Sequence, residues 1–190
     1  MKSVLLSIKP KYCMLIANGE KTVEVRKTMP KIITPFKCYM YCTKEHTNGD
    51  FILTKSEELS KLFGKNKCVS INKGFKTSED IDLKGKVIGE FVCDKTQNLF
   101  SNSQFWIDED VVNRTCLTNY EIRKYANGSD KIYGWHISDL VIYDKPKELG
   151  EFYTEGKSEI DYKRDWFNDK PLTRPPQSWC YIEILGDKKC

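Results

Sequence analysis

Polar and apolar residues alternate over residues 22–26, and this pattern predicts a short β-strand. With the two-residue period of a strand, Val23 and Val25 lie on one face. Thr22, Glu24 and Arg26 lie on the other face. The apolar face is expected to join the core, whereas a hydroxyl, a carboxylate and a guanidinium in line are more than a solvated face requires. The strand therefore either lines a functional site or carries an ordinary surface ion pair, which contributes little to stability.

Similar patterns predict the other regular elements of the chain. Strands are predicted at residues 4–8, 36–43, 87–93, 133–143 and 179–185, with a bulge near Ser138 where the alternation changes face. Helices are predicted at residues 11–18, 56–63 and 118–126. The first helix ends at Asn18-Gly19, and the last begins with a capping box of Thr118 and Glu121. Several short strands with two or three helices indicate an α+β fold, with a small barrel or a strongly curved sheet.

The strand predicted at residues 36–43 has a second face of mixed character. One face is apolar, and the other carries Lys37, Tyr39, Tyr41 and Thr43. Aromatic rings beside a lysine suit the stacking of single-stranded nucleic acid bases. Tyrosines in this position also commonly cover a second apolar cluster, so the sequence leaves both interpretations open.

The length and composition of the chain favour one soluble domain. It has 190 residues, of which 39% are hydrophobic and 31% are charged, and this is enough to bury a core. Its apolar runs are far shorter than the roughly 20 residues that span a bilayer, and the run after Lys2 is too short for a signal peptide. We therefore expect a cytoplasmic protein without a membrane partner. The formal net charge of +4 permits an anionic partner without requiring one.

The eight cysteines and two histidines do not form a metal-binding motif. No pair of cysteines has the C-x-x-C spacing of a zinc site, and His46 and His136 are the histidines available to complete one. Free thiols are the expectation in a reducing compartment. The sequence therefore predicts neither a metal nor a cofactor.

Residues 7–26 carry a family motif. Gly19, Lys21, Glu24 and Arg26 fill the pattern G-x-K-x-x-E-x-R, which resembles the signature of the ASCH domain family. Two later segments, residues 134–140 and 175–183, resemble the closing strands of that family in a form common in bacterial and phage members. The resemblance predicts a single ASCH or PUA-like domain over residues 1–190, with insertions at about residues 44–83 and 147–172.

The resemblance implies a PUA-like small β-barrel with a cleft that binds RNA or a modified nucleoside. In such a cleft Lys21 and Arg26 would hold a phosphate or a base edge, and Glu24 would accept hydrogen bonds from exocyclic amino groups. Tyr39 and Trp135 are the candidate stacking partners. The predicted ligand-binding residues are Lys9, Lys11, Lys21, Thr22, Glu24, Arg26, Tyr39, Trp135, His136 and Ser138. Replacing Lys21 and Arg26 together by alanine is expected to abolish RNA binding while the fold persists.

An enzymatic function is the alternative. Some small members of the wider family resemble this chain and are amidohydrolases that remove the acetyl group from N4-acetylcytidine with a lysine, a threonine and a glutamate. Lys21 matches that lysine, whereas Glu24 stands where the threonine would be, and Thr22 is a nearby hydroxyl. Lys21 and Glu24 are thus the candidate catalytic residues, with Thr22 as a substitute nucleophile. A ribonuclease that uses Lys21, Arg26 and His136 and a protein-binding module are further alternatives.

Overall fold

The computed structural model describes residues 3–45, 49–54, 56–57, 61, 68–72, 75–100, 107–154 and 170–183. Most of the helix predicted at residues 56–63 lies outside this part of the chain. Residues 184–185 of the last predicted strand and large parts of both predicted insertions also lie outside it.

Within these described ranges, the structure gives the bounds of twelve strands and three α-helices. The strands are β1 (Ser3–Ile8), β2 (Val23–Arg26), β3 (Phe36–Cys42), β4 (Gly49–Leu53), β5 (Cys68–Asn72), β6 (Ile81–Asp82), β7 (Val87–Cys93), β8 (Thr96–Asn98), β9 (Tyr133–His136), β10 (Ser138–Lys147), β11 (Tyr153–Thr154) and β12 (Trp179–Glu183). The helices are α1 (Pro10–Ala17), α2 (Glu109–Thr115) and α3 (Asn119–Ala126), and a 3-10 turn covers Leu149–Glu151. Within the described ranges, no helix is long and apolar enough to cross a membrane.

The described strands are arranged in three sheets. The largest has six strands in the order β10-β7-β3-β1-β12-β11, and the smaller ones are β2-β9-β8 and β5-β4-β6. In the large sheet β1 and β3 run parallel, and the other neighbouring strands are antiparallel. The α+β class is therefore confirmed. The described strands do not close into a barrel, because β10 and β11 form opposite edges of the large sheet and do not pair with each other.

The six-stranded sheet is buried on both faces. Val4 and Leu6 of β1 pack into the main core, whereas Leu5 packs on the opposite face. That opposite face also holds Tyr39, which is 2% exposed and packs edge to face on Phe152 with ring centroids 5.2 Å apart. The polar-looking face of β3 therefore covers a second apolar cluster, which is one of the two interpretations that the sequence left open.

A tight turn joins α1 to β2, as predicted. Pro10 occupies the first turn of α1, where its missing N–H is harmless. Gly19 follows the helix with a left-handed φ of +78°, a conformation that favours glycine. The turn leads directly to Lys21 and then into β2, the strand that carries the signature residues Glu24 and Arg26. Lys9 and Lys11 at the start of α1 are therefore close to β2 in the chain.

α3 begins with the predicted capping box. The Thr118 hydroxyl accepts a hydrogen bond from the Glu121 backbone N–H at 3.2 Å, and the Glu121 carboxylate accepts one from the Thr118 N–H at 2.8 Å. Asn127, with a φ of 52°, ends the helix. Ile122 on the inner side of α3 and Val25 of β2 belong to the same buried apolar cluster. The helix therefore shares a core with the strand that carries the signature residues.

The predicted bulge near Ser138 separates β9 from β10, which belong to different sheets. Asp139 has a φ of 47°, which is uncommon for a residue other than glycine. The pairing of β10 with β7 also shifts register between Ser138 and Val141. This irregularity leads the chain from the β2 sheet into the six-stranded sheet.

Candidate functional site

The polar side chains of β2 are buried. Glu24 and Arg26 are 6% and 5% exposed, and Lys21, which precedes the strand, is 2% exposed. The interpretation of Glu24 and Arg26 as a surface ion pair is therefore wrong. Arg26 Nη2 lies 3.1 Å from Glu24 Oε1, and Lys21 Nζ lies 3.5 Å from Glu24 Oε2. Because buried charges are costly without partners, these contacts bind the three side chains into one ion cluster.

The Lys21 ammonium is held by backbone carbonyls. It donates to the Val23 carbonyl at 2.9 Å and to the Thr115 carbonyl at 2.7 Å. Thr115 is the last residue of α2, where the partial negative charge of a helix C-terminus favours a cation. The Tyr12 ring centroid lies 5.4 Å from the same nitrogen, within the range of a cation–π contact. These contacts fix the ammonium next to Glu24.

The Arg26 guanidinium ties three segments together. Its Nη2 donates to the Ser7 carbonyl in β1 at 2.9 Å. Its Nη1 donates to the Ser178 carbonyl at 3.1 Å, just before β12, and lies 3.3 Å from the Ser178 hydroxyl. The rigid fork of arginine donors suits such simultaneous contacts. The contacts bring segments that are distant in sequence onto β2 and explain why its polar face is buried.

Two polar atoms in the ion cluster have no hydrogen-bond partner among the described residues. They are Glu24 Oε2 and Arg26 Nε, and both are buried. The 3.5 Å contact of Lys21 with Glu24 Oε2 is an ion pair that is too long for a strong hydrogen bond. Thr43 Oγ1 is a third buried atom of this kind. Because an unpaired buried polar group costs about 1–3 kcal/mol, a ligand that pairs these atoms would be favoured.

All three atoms belong to residues that line one cavity of about 880 Å³. The lining residues are Ser7, Ile8, Lys9, Tyr12, Lys21, Glu24, Val25, Arg26, Thr43, Lys44, Glu45, Leu117, Glu121, Lys124, Tyr125 and Gln177. Burial is the main cause that raises the pKa of the Tyr12 and Tyr125 phenols. Both hydroxyls are therefore protonated at neutral pH and able to donate a hydrogen bond.

Known structures share this fold over nearly the whole chain. The crystal structure of ASCH from Zymomonas mobilis matches with a TM-score of 0.55 at 17% identity, covering 96% of this chain and 88% of that chain. The chain has the fold of an ASCH domain. Crystal structures of two mutants of the Zymomonas protein match with TM-scores of 0.52 and 0.55 at 16% identity, each over 96% of this chain and over 91% and 89% of theirs. No protein family model and no curated protein matches the sequence.

The ASCH fold brings four of the predicted ligand-binding residues to the cavity, namely Lys9, Lys21, Glu24 and Arg26. The Lys9 ammonium lies at the more exposed part of the lining and pairs with Glu45 at 2.8 Å. Lys11 is not part of the lining. Its ammonium lies 5.7 Å from the ring centroid of Tyr12, and Tyr12 does line the cavity. The first helix therefore contributes to the cavity through both its start and its first turn.

Three other predicted residues make structural contacts outside the cavity lining. The Thr22 hydroxyl accepts a hydrogen bond from Arg114 of α2 at 3.2 Å. Trp135 is 0% exposed and packs edge to face on Phe36, with ring centroids 5.6 Å apart. Tyr39 lies on the far face of the large sheet, in the second apolar cluster. None of the three lines the cavity.

The last two predicted residues, His136 and Ser138, lie at the junction of β9 and β10. His136 Nδ1 is 2.5 Å from Asp94 Oδ1, and the Ser138 hydroxyl donates to the Val92 carbonyl at 3.0 Å. Neither residue lines the cavity. The ribonuclease alternative would need His136 in the cavity with Lys21 and Arg26, and His136 is not part of the cavity lining.

Several lining residues of the ASCH fold carry no clear signal in the sequence. Tyr12 fits the apolar stripe of α1, so its position indicates packing alone. Thr43 directly follows β3, and its place in the cavity depends on the neighbouring end of β1. Lys124 and Tyr125 lie on α3, far from β2 in the chain, and no spacing rule links them to the signature. The capping box predicts the helix α3 that carries Lys124 and Tyr125, but it does not predict that this helix lines the cavity.

The described residues contain no group of three or more His, Cys, Asp or Glu side chains that could hold a metal ion. The seven cysteines in the described ranges are free thiols. Burial raises the pKa of Cys68 to about 12, so this thiol is protonated and unreactive at neutral pH.

Proposed function

We propose that the cavity binds a nucleobase of single-stranded RNA or of a modified nucleoside. The observation that carries this proposal is that one ion cluster contains a buried acceptor, Glu24 Oε2, and a buried donor, Arg26 Nε, neither of which has a hydrogen-bond partner in the described part of the chain. A nucleobase edge presents donors and acceptors side by side, and carboxylate and guanidinium groups suit such an edge. Glu24 would accept from an exocyclic amino group, while Arg26 would donate to a ring nitrogen or a carbonyl oxygen. The ASCH fold and the signature residues support the same class of ligand.

The aromatic lining and the size of the cavity support this ligand class. Tyr12 and Tyr125 both line the cavity, and aromatic side chains are common stacking partners of bases. The volume of about 880 Å³ lies toward the upper end of the range of about 300–1,000 Å³ in which proteins bind small molecules. A base together with its sugar would therefore fit.

An amidohydrolase that acts on N4-acetylcytidine-like nucleosides is the second candidate, and one observation favours it. Thr43 Oγ1 is buried, has no partner among the described residues and lines the cavity with Lys21 and Glu24. It would supply the hydroxyl that Thr22, which is bonded to Arg114, does not bring to the cavity. Incubation with N4-acetylcytidine separates the two functions: release of acetate would support the hydrolase, and binding without turnover would support the binding module.

Substitution of Tyr125 by alanine is expected to weaken the binding of a short single-stranded RNA by about tenfold or more, because base stacking on the ring is lost. Tyr125 lines the cavity and is 38% exposed, so its removal is expected to leave the fold intact. Fluorescence anisotropy with an end-labelled RNA gives the Kd of each variant.

Tyr120 is the matched control on the same helix. It is 73% exposed and does not line the cavity, so Tyr120→Ala is expected to bind RNA as tightly as the unmodified protein. Unchanged affinity in both variants would count against the cavity as the binding site. An equal loss in both variants would place the RNA on the outer surface of α3 and would count against it as well.

A further inference from the structure

Two lysines that line the cavity, Lys44 and Lys124, form no ion pair within the described part of the chain. Lys44 is the second residue after β3 and Lys124 lies on α3, so they reach the cavity from different walls. Both side chains are exposed, and neither makes a salt bridge with another residue in the described ranges. Their charges are thus available at the more exposed part of the cavity, while the buried ion cluster lies deeper.

The carboxylates that line the cavity are already engaged. Glu24 belongs to the buried ion cluster, and Glu45 pairs with Lys9 at 2.8 Å. The Glu121 carboxylate accepts hydrogen bonds from the N–H and the hydroxyl of Thr118 at 2.8 and 2.9 Å. Among the described residues, none of these carboxylates forms a salt bridge with Lys44 or Lys124, so both ammonium groups are open to an anionic ligand.

The backbone at Gly85 restricts the Lys44 side chain. A Cβ on Gly85 would lie 2.4 Å from Lys44 Cε and 3.0 Å from Lys44 Cγ, so the methylene stem lies directly against this glycine. Gly85 also has a φ of +83°, which favours glycine at this position. A packed stem has lost part of its rotamer freedom already, which lowers the entropy cost of binding an anion with the ammonium.

We propose that the ligand carries a phosphate, that Lys44 and Lys124 bind it, and that the cavity therefore prefers a nucleotide over a neutral nucleoside. This inference rests on the proposed function. Lysine is a common phosphate ligand and acts as a point charge. The cavity of about 880 Å³ has room for the base at the buried ion cluster and for the sugar phosphate at the exposed lysines.

The test compares each of the four ribonucleosides with its 5′-monophosphate by isothermal titration calorimetry. The unmodified protein is expected to bind the monophosphate of its preferred base about tenfold or more tightly than the nucleoside, and added salt is expected to reduce this advantage. The variant with both Lys44→Gln and Lys124→Gln is expected to lose the advantage and to keep its nucleoside affinity. Lys145→Gln, an exposed position on β10 outside the cavity, is expected to behave like the unmodified protein.

Two results would overturn the assignment of phosphate to these lysines and leave the proposed function standing. One is equal affinity for nucleoside and monophosphate, and the other is tighter binding of the monophosphate that survives in the double variant. Failure of every nucleoside, monophosphate and short single-stranded RNA to bind would contradict the proposed function itself. If RNA binds more tightly than any monophosphate and loses this affinity in the double variant, the phosphate comes from the strand. If no RNA exceeds the best monophosphate, it comes from a free nucleotide.

Discussion

Replacement of Lys21 by methionine is expected to lower the free energy of unfolding by about 3–5 kcal/mol. Methionine keeps most of the side-chain length but removes an ammonium whose side chain is 2% exposed. The Glu24 carboxylate would lose one of its cationic partners, and the Val23 and Thr115 carbonyls would lose a hydrogen-bond donor. Urea denaturation followed by circular dichroism measures the change.

Lys37 provides the matched control. Its ammonium also pairs with a strand carboxylate, that of Glu90 at 2.7 Å, but the lysine side chain is 37% exposed. Solvent screens this pair, so Lys37→Met is expected to cost at most about 1 kcal/mol. Equal losses in the two variants would contradict the role of Lys21 as a buried partner in the ion cluster.

The burial of these side chains also changes how the site can be tested. From the sequence, replacing Lys21 and Arg26 together by alanine should leave the fold intact. The structure contradicts this expectation, because Arg26 is 5% exposed and donates to the Ser7 and Ser178 carbonyls. The double variant is instead expected to be strongly destabilised. Loss of RNA binding in that variant could result from unfolding and would not identify the site. Tyr125 is exposed, so its substitution tests RNA binding without this complication.

Replacement of Trp135 by alanine is expected to lower the free energy of unfolding by about 3–5 kcal/mol, because it removes a large side chain from the core. Trp135 is 0% exposed. Its ring centroid lies 5.6 Å from that of Phe36 and 6.0 Å from that of Trp179. Both partners belong to the six-stranded sheet, so the indole packs the β2 sheet against it. Urea denaturation of the variant measures the loss.

Trp135→Phe separates the packing role from the stacking role that the sequence suggested. Phenylalanine refills part of the volume, so a smaller loss of stability is expected, with RNA affinity unchanged. Unchanged stability together with lost RNA binding would contradict the packing role and return Trp135 to the ligand site.

Local rules were sufficient for the elements whose ends carry side-chain signals. Pro10 and Gly19 bound the first helix, and the reciprocal hydrogen bonds of Thr118 and Glu121 start α3. These signals act within a few residues, so they are visible in the sequence without knowledge of the rest of the fold. The change of face near Ser138 was visible for the same reason.

The burial of β2 could not be predicted in this way. A two-residue alternation of polar and apolar side chains gives the same pattern whether the polar face meets water or other segments of the protein. The groups that cover it, such as Ser178 and Thr115, are far away in the chain and act through backbone carbonyls, which carry no sequence signal. The same limit applies to the open sheet, since closure into a barrel depends on which distant edges pair.

The signature gave the buried part of the candidate site, and the fold supplied the rest. Lys21, Glu24 and Arg26 were identified from one short motif because they lie on β2 or just before it. Thr43 and Tyr125 reach the same cavity only through the packing of β3 and α3 around it. A site built from several elements is therefore predicted best where its residues share one element.

The most direct test of whether a base binds at the ion cluster is an NMR titration with a short single-stranded RNA. The titration follows the side-chain Nε–H signal of Arg26. This N–H is buried and lacks a partner among the described residues, so pairing with a base is expected to shift its resonance until the RNA saturates. The Nε–H of Arg114, which donates to Thr22 at 3.2 Å, is the internal reference and is expected to stay in place. Saturable RNA binding that leaves the Arg26 signal unmoved would contradict recognition of the base by Glu24 and Arg26.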